Sequence, residues 1–186
     1  MLTNEEIRII EGCRNGDVEC QKMLYDTYGP LVKGVCLRYT SDIQEAEDLF
    51  HDIFISILTH FDEYDNITSL GGWLRRITVN KAIDYWRHKQ TQKSVLMSEL
   101  SVDIMDEKPD NYDGIPMQVL LECIQQLPPK YRTAFNLYVI DEIDQKQICE
   151  MMQETLSNVR SLISRARAML RKSIGKYLKN EEFHYE

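Results

Sequence analysis

No apolar run in this 186-residue sequence exceeds a few positions, so no segment is long enough to cross a bilayer. The opening residues, Met1-Leu2-Thr3-Asn4-Glu5-Glu6, are acidic where a secretory leader is basic and then apolar. A cytoplasmic protein without a membrane span is expected. Cysteine is scarce and odd in number: Cys13, Cys20, Cys36, Cys123 and Cys149, with no C-x-x-C pair. That spacing argues against a disulfide framework or a zinc site and favours reduced, buried thiols. Glycine-rich phosphate loops, nucleophile elbows and H-E-x-x-H are also missing, which leaves hydrolase and kinase chemistry without residues. Asp48/His51 and Glu181/His184 have the carboxylate–histidine spacing of bundle di-iron sites. Such a site needs two further inward carboxylates, so neither a metal nor a cofactor is expected, and the chain reads as a non-enzyme.

Strands are missing too. Alternating apolar and polar runs do not occur, and apolar spacing is helical almost throughout. Apolar residues make up 43% and charged residues 28%, the balance of a globular protein. An all-α fold follows. Thr3-x-x-Glu6 is a capping box ahead of Ile7 and Ile10. Gly16-Asp17 breaks that helix and caps the next, and Gly29-Pro30 is expected to be another break. Ile43 to Leu58 carries the clearest apolar stripe, with Ser41 and Asp42 as N-caps. Phe61 to Gly72 is expected to be a loop, with Trp73 opening a helix to about Lys89. Residues 90–116 are rich in Ser, Asp and Pro and read as a linker, with one short helical turn near Val95–Leu100. Beyond it, Leu127-Pro128-Pro129 separates two helices. Asp144 caps a short helix, Gln153–Ser157 makes a turn, and a long basic helix follows. That outline is a helix-turn-helix. Two small helical domains, 1–90 and 117–180, are expected around a 91–116 linker, with a frayed 181–186 tail.

The net charge of −8 conceals its distribution. Thr155 to Lys179 holds seven basic residues and no acid. Leu74 to Lys93 holds six basic residues and one acid, Asp84. Ser41 to Asp65 holds eight acids and neither Lys nor Arg. Two basic stripes suit nucleic acid, and the acidic one suits a different partner. Glu45, Asp48 and Asp52 share one helix face. In WLRRITVNKAIDYWRHK, Trp73, Tyr85 and Trp86 interleave with cations, a pattern that stacks unpaired bases while holding phosphates. The alternatives are a helix-turn-helix regulator acting without polymerase, which has no use for a single-strand platform, and a protein-binding helical adaptor.

The combination EAEDLFHDIFISIL, a polar loop, WLRR, LPPKYRTAFNLY and NVRSLISRARAMLRK resembles bacterial sigma factors of the extracytoplasmic-function (ECF) group. The resemblance covers roughly residues 8–178. It implies a sigma region two over 1–90 and a region four over 117–180. Glu45, Asp48 and Asp52 would then dock on the β′ clamp helices of core RNA polymerase. Asp65, Asn66, Thr68, Trp73, Arg76, Asn80, Lys81, Asp84 and Arg87 would read and melt the minus-ten element of promoter DNA. The linker would thread toward the RNA exit channel. Gln147, Ser157, Asn158, Arg160, Ser161, Ser164, Arg165 and Arg167 would read the minus-thirty-five element beside the β-flap. An anti-sigma factor, or another DNA-bound protein that places the sigma factor, is a possible further partner. One stretch departs from the family: where relatives carry Leu-Gly-Ile-Ser-x-Gly-Thr-Val, this chain has Met152-Gln153-Glu154-Thr155-Leu156-Ser157-Asn158-Val159. Without glycine, a positive φ has to be found elsewhere or the turn changes. Glu154 is expected to bring a negative charge toward DNA. Arg160 and Ser164 are expected near base edges, with Arg165, Arg167 and Arg171 mostly on phosphate or partner surfaces. Weak minus-thirty-five reading is the resulting expectation.

Overall fold

The computed structural model describes residues 2–61, 67–92 and 114–182. Among them there is no strand. The helices are α1 (Asn4–Arg14), α2 (Val18–Tyr39), α3 (Ile43–Thr59), α4 (Leu70–Gln92), α5 (Met117–Gln125), α6 (Pro129–Phe135), α7 (Gln145–Met152) and α8 (Leu156–Glu182). A π-helical turn, Asn136–Ile140, extends α6. Contacts divide the chain into two compact units, Met1–Tyr85 and Trp86–Glu186, with the boundary inside α4. No described helix is long and apolar enough to cross a membrane. Asp65, Asn66, the Val95–Leu100 turn and His184 lie outside the described residues.

In the first unit, α2 packs against both α1 and α3. The α1 capping box forms as its sequence dictates: Thr3 N donates to Glu6 Oε2 at 2.8 Å and Glu6 N to Thr3 Oγ1 at 3.1 Å. Tyr28 Oη then donates to the other Glu6 oxygen at 3.1 Å, tying the start of α1 to α2. Gly16 takes φ 72°, and Asp17 caps α2 by accepting from Cys20 N at 2.9 Å.

Gly29-Pro30 does not break the chain: Pro30 sits inside α2. A proline in a helix interior costs about 3 kcal/mol in isolation. Here both halves of the helix are held by their buried side chains, Leu24 before the proline and Val32, Val35 and Cys36 after it. The onset of α4 also differs from expectation. The helix starts at Leu70, because Ser69 caps it, its Oγ accepting from Gly72 N at 3.3 Å. The two glycines therefore lie in the first turn. A Cβ at Gly71 would come within 3.4 Å of the Tyr28 ring, so the start of α4 lies close against α2.

The second unit wraps α5, α6 and α7 on α8. Its core includes Ile124, Phe135, Leu137, Ile148, Val159, Ile163 and Leu170. Arg132, only 3% exposed, donates from Nη1 to the carbonyl of Gln125 at 2.8 Å. That bond satisfies the last carbonyl of α5, and the cation suits the negative end of that helix. Asp144 caps α7 by accepting from Lys146 N at 2.8 Å. Cys13, Cys20, Cys36 and Cys123 are buried and unpaired, Cys149 half-buried and unpaired. Burial pushes the Cys36 thiol up to about 12.

Candidate nucleic-acid interfaces

The acidic face of α3 is built by its period. Ala46, Leu49, Phe50, Ile53, Phe54 and Ile57 are buried along one side. Asp48 and Asp52 stand on the opposite side, both exposed. Glu45 is half-buried, its carboxylate accepting from Ser41 N at 3.2 Å, while Asp42 caps α3 by accepting from Glu45 N at 2.9 Å. Ile55 lies next to the acids on the same exposed side, one turn past Asp52, and is 65% exposed. Sequence reading missed it; an isoleucine off the apolar stripe was the available signal. Ile43, assigned to that stripe, is 61% exposed at the helix start. Among the described residues, no group of three or more His, Cys, Asp or Glu side chains is arranged to hold a metal ion.

On α4 the buried positions include Leu70, Leu74, Thr78, Ala82, Val79 and Ile83. At 3.6 residues per turn, Trp73, Arg76, Asn80, Lys81, Asp84 and Arg87 fall within an arc of about 140° on the remaining side. Arg76, Asn80, Lys81 and Asp84 are exposed, and Trp73 and Arg87 half-buried. Trp73 is held edge-on by Phe61, with ring centroids 5.2 Å apart. Thr68 is exposed just ahead of the helix. One expectation is corrected: Trp86 is only 7% exposed and is a core residue, so it offers no ring to a base. Its position is about 140° around the helix from Trp73.

The long helix α8 buries Val159, Leu162, Ile163, Ala166, Leu170 and Ile174. Ser157, Arg160, Ser164, Arg167 and Arg171 fall on one stripe about 80° wide. Arg165, Ser161 and Asn158 lie on the flank, and Gln147 is exposed on α7. Arg167 thus groups with Arg160 and Ser164 rather than with Arg165.

The turn into α8 resolves the glycine question. Gln153 itself takes φ 55° and ψ 46°, the left-handed conformation that a glycine adopts without strain. Thr155 then caps α8, its Oγ1 accepting from Asn158 N at 3.2 Å. Glu154 does not aim a bare charge at DNA. Its carboxylate pairs with Lys130 Nζ at 2.5 Å, with side chains 20% and 28% exposed, and accepts from Asn158 Nδ2. Burial raises the Glu154 pKa, but the hydrogen bonds from Lys130 and Asn158 and the lysine's charge outweigh it, and the net shift is downward. A pKa lowered on folding adds stability above the ordinary carboxylate value, lost as pH falls through the folded one. Glu154→Gln is therefore expected to destabilise the protein by about 1 kcal/mol at neutral pH. The gap between the two proteins in urea midpoint should close below the ordinary value of 4.5. A gap that stays constant from neutral to acid pH would contradict the pairing.

A sigma-70 region 2 family model matches residues 24–92, and a sigma-70 region 4 model matches residues 117–170. Over 155 residues the chain is 30% identical to the ECF RNA polymerase sigma factor SigM of Bacillus subtilis, covering 80% of this chain and 91% of that protein. The chain belongs to the ECF sigma factors. It is an RNA polymerase sigma factor that directs transcription initiation. Sigma factors in general are not enzymes. This one is also 29% identical over 181 residues to the ECF sigma factor SigW of Bacillus subtilis, covering 89% of this chain and 94% of that protein. Its fold resembles that of the sigma factor RpoE of Bartonella quintana, solved in complex with the anti-sigma factor NepR. That match has a TM-score of 0.51 and 20% identity, covering 83% of this chain and 96% of that chain.

Proposed function

We propose that this sigma factor works through three faces, one on each of α3, α4 and α8. Asp48 and Asp52, with Ile55 one turn past Asp52 and Glu45 at the edge, dock on the β′ clamp helices of core RNA polymerase. Thr68, Trp73, Arg76, Asn80, Lys81, Asp84 and Arg87, together with Asp65 and Asn66, read and melt the minus-ten element. Gln147, Ser157, Arg160, Ser164 and Arg167 face the minus-thirty-five element, with Asn158, Ser161 and Arg165 on the flank toward phosphate or the β-flap. Residues 1–90 and 117–180 act as regions two and four, joined by the 91–116 linker. The protein works in the cytoplasm, catalyses no reaction of its own, and is open to control by an anti-sigma factor.

The observation that carries this reading is the α4 arc, which sets Trp73 among the exposed Arg76, Asn80 and Lys81 on the side away from the core. A helix-turn-helix regulator acting alone has no use for such a face. The α8 turn supports full minus-thirty-five reading, since Gln153 supplies the left-handed residue and Lys130 neutralises Glu154. Both features bear on the two reasons for expecting weak reading, the missing glycine and the charge of Glu154. The test is to scramble the minus-thirty-five segment of a responsive promoter and measure transcription by the reconstituted holoenzyme. A loss of about a hundredfold or more, 2.7 kcal/mol at about 1.36 per tenfold, is expected. A change below about threefold, under 1 kcal/mol, would contradict the α8 assignment.

A further inference from the structure

Two arginines of the α8 stripe, Arg160 and Arg167, are held by neighbours outside α8. Arg160 Nε donates to Oε1 of Gln145, the first residue of α7, across 3.1 Å. Two turns further along α8, the Arg167 guanidinium lies over the Tyr138 ring, 5.8 Å from its centroid. Tyr138 belongs to the π-helical turn. Together with Ser164 and Arg171, these side chains line an open cavity of about 160 Å³. An arginine tied through Nε keeps Nη1 and Nη2 for a second partner. Those two nitrogens form the fork that pairs with O6 and N7 of guanine in the major groove. An arginine on a helix surface otherwise samples many rotamers, and ordering it weakens binding. We propose that Gln145 is a positioning residue for promoter reading, fixing Arg160 so that its fork addresses a guanine of the minus-thirty-five segment. This rests on the reading of α8 as the helix that enters the major groove.

Gln145 acts through Arg160, so its removal should change base preference rather than general DNA affinity. Holoenzyme assembled with the full chain is used to select from linear promoter fragments randomised over the minus-thirty-five segment. Native protein is compared with Arg160→Ala, Gln145→Ala and Gln145→Glu. Arg160→Ala should erase a guanine preference at one position and so identify the base that Arg160 reads. At that position Gln145→Ala should lower the preference about three- to tenfold, the effect of one long side chain regaining its freedom. Its affinity for fragments lacking the preferred base should be unchanged. Gln145→Glu keeps the acceptor oxygen and should restore the preference, even though its added charge weakens binding to every fragment. If Arg160→Ala removes the preference and Gln145→Ala leaves it at the native level, the positioning role is overturned and the α8 reading stands. If Arg160→Ala alters no preference, both are overturned. Equal loss on all fragments in Gln145→Ala would mark Gln145 as a general DNA contact and also overturn the proposal.

Discussion

Reversal of Asp48 and Asp52 together to Arg is expected to lower affinity for core RNA polymerase by about a hundredfold or more, 2.7 kcal/mol at about 1.36 per tenfold. Both carboxylates are exposed on α3, opposite its buried stripe, so the fold does not depend on them. Substitutions at such positions typically change stability by about 0.5 kcal/mol or less. Helical circular dichroism and the thermal midpoint should therefore stay near native values while binding is lost. The mechanism is electrostatic: a basic partner surface that had been attracted meets like charge. Rising salt should weaken the native complex and narrow its difference from the variant. Binding at native affinity in a titration with purified core enzyme would show that α3 is not the docking face.

The next largest effect is expected on α4. Replacing Arg76 and Lys81 with Ala removes two exposed cations that flank Trp73 on the arc facing away from the core. Open-complex formation, read as permanganate reactivity of promoter thymines, should fall by about tenfold or more, since each lost contact to a charged group is worth about 1.5–3 kcal/mol before screening. Core binding should be retained, because α3 is untouched. Adding Trp73→Ala should deepen the defect, as base–aromatic stacking contributes about 1–3 kcal/mol per base. Native reactivity in the double variant would leave Arg76 and Lys81 as ordinary solvated charge.

Much of this architecture is written in short-range pattern. The Thr3/Glu6 box and the Asp17 and Asp144 caps each depend on residues within four positions of one another and form as read, and the stripe expected over Ile43–Leu58 is buried from Ala46 to Ile57, with Ile43 exposed at the helix start. Errors arise where a distant contact overrides a local rule. Pro30 signals a break, yet the buried residues on either side of it keep α2 continuous. Gly71 and Gly72 signal a loop, but the Ser69 cap and the Tyr28 ring place them in the first turn of α4. Trp86 and Trp73 are alike in composition and differ only in angle around the helix, so the aromatic–basic pattern could not tell core from surface.

The candidate interfaces divide the same way. Spacing alone puts Asp48 beside Asp52, and Arg76 beside Asn80. No spacing reveals that Lys130 neutralises Glu154, or that Gln145 holds Arg160, because those partners sit 24 and 15 positions apart. The glycine-free turn looked defective for the same reason. Its two remedies are a non-glycine residue in a left-handed conformation and a lysine from another helix.

The most direct measurement is run-off transcription with purified core RNA polymerase, with and without the full chain, on linear fragments drawn from a randomised promoter library. The account predicts that core enzyme alone initiates without sequence preference. With the chain, initiation should concentrate on fragments sharing two sequence blocks at fixed spacing. A guanine preference at one position of the upstream block should be lost with Arg160→Ala, and preference or opening in the downstream block should fall with Arg76→Ala and Lys81→Ala. Transcripts with the same start sites and the same sequence distribution, whether or not the chain is present, would contradict it.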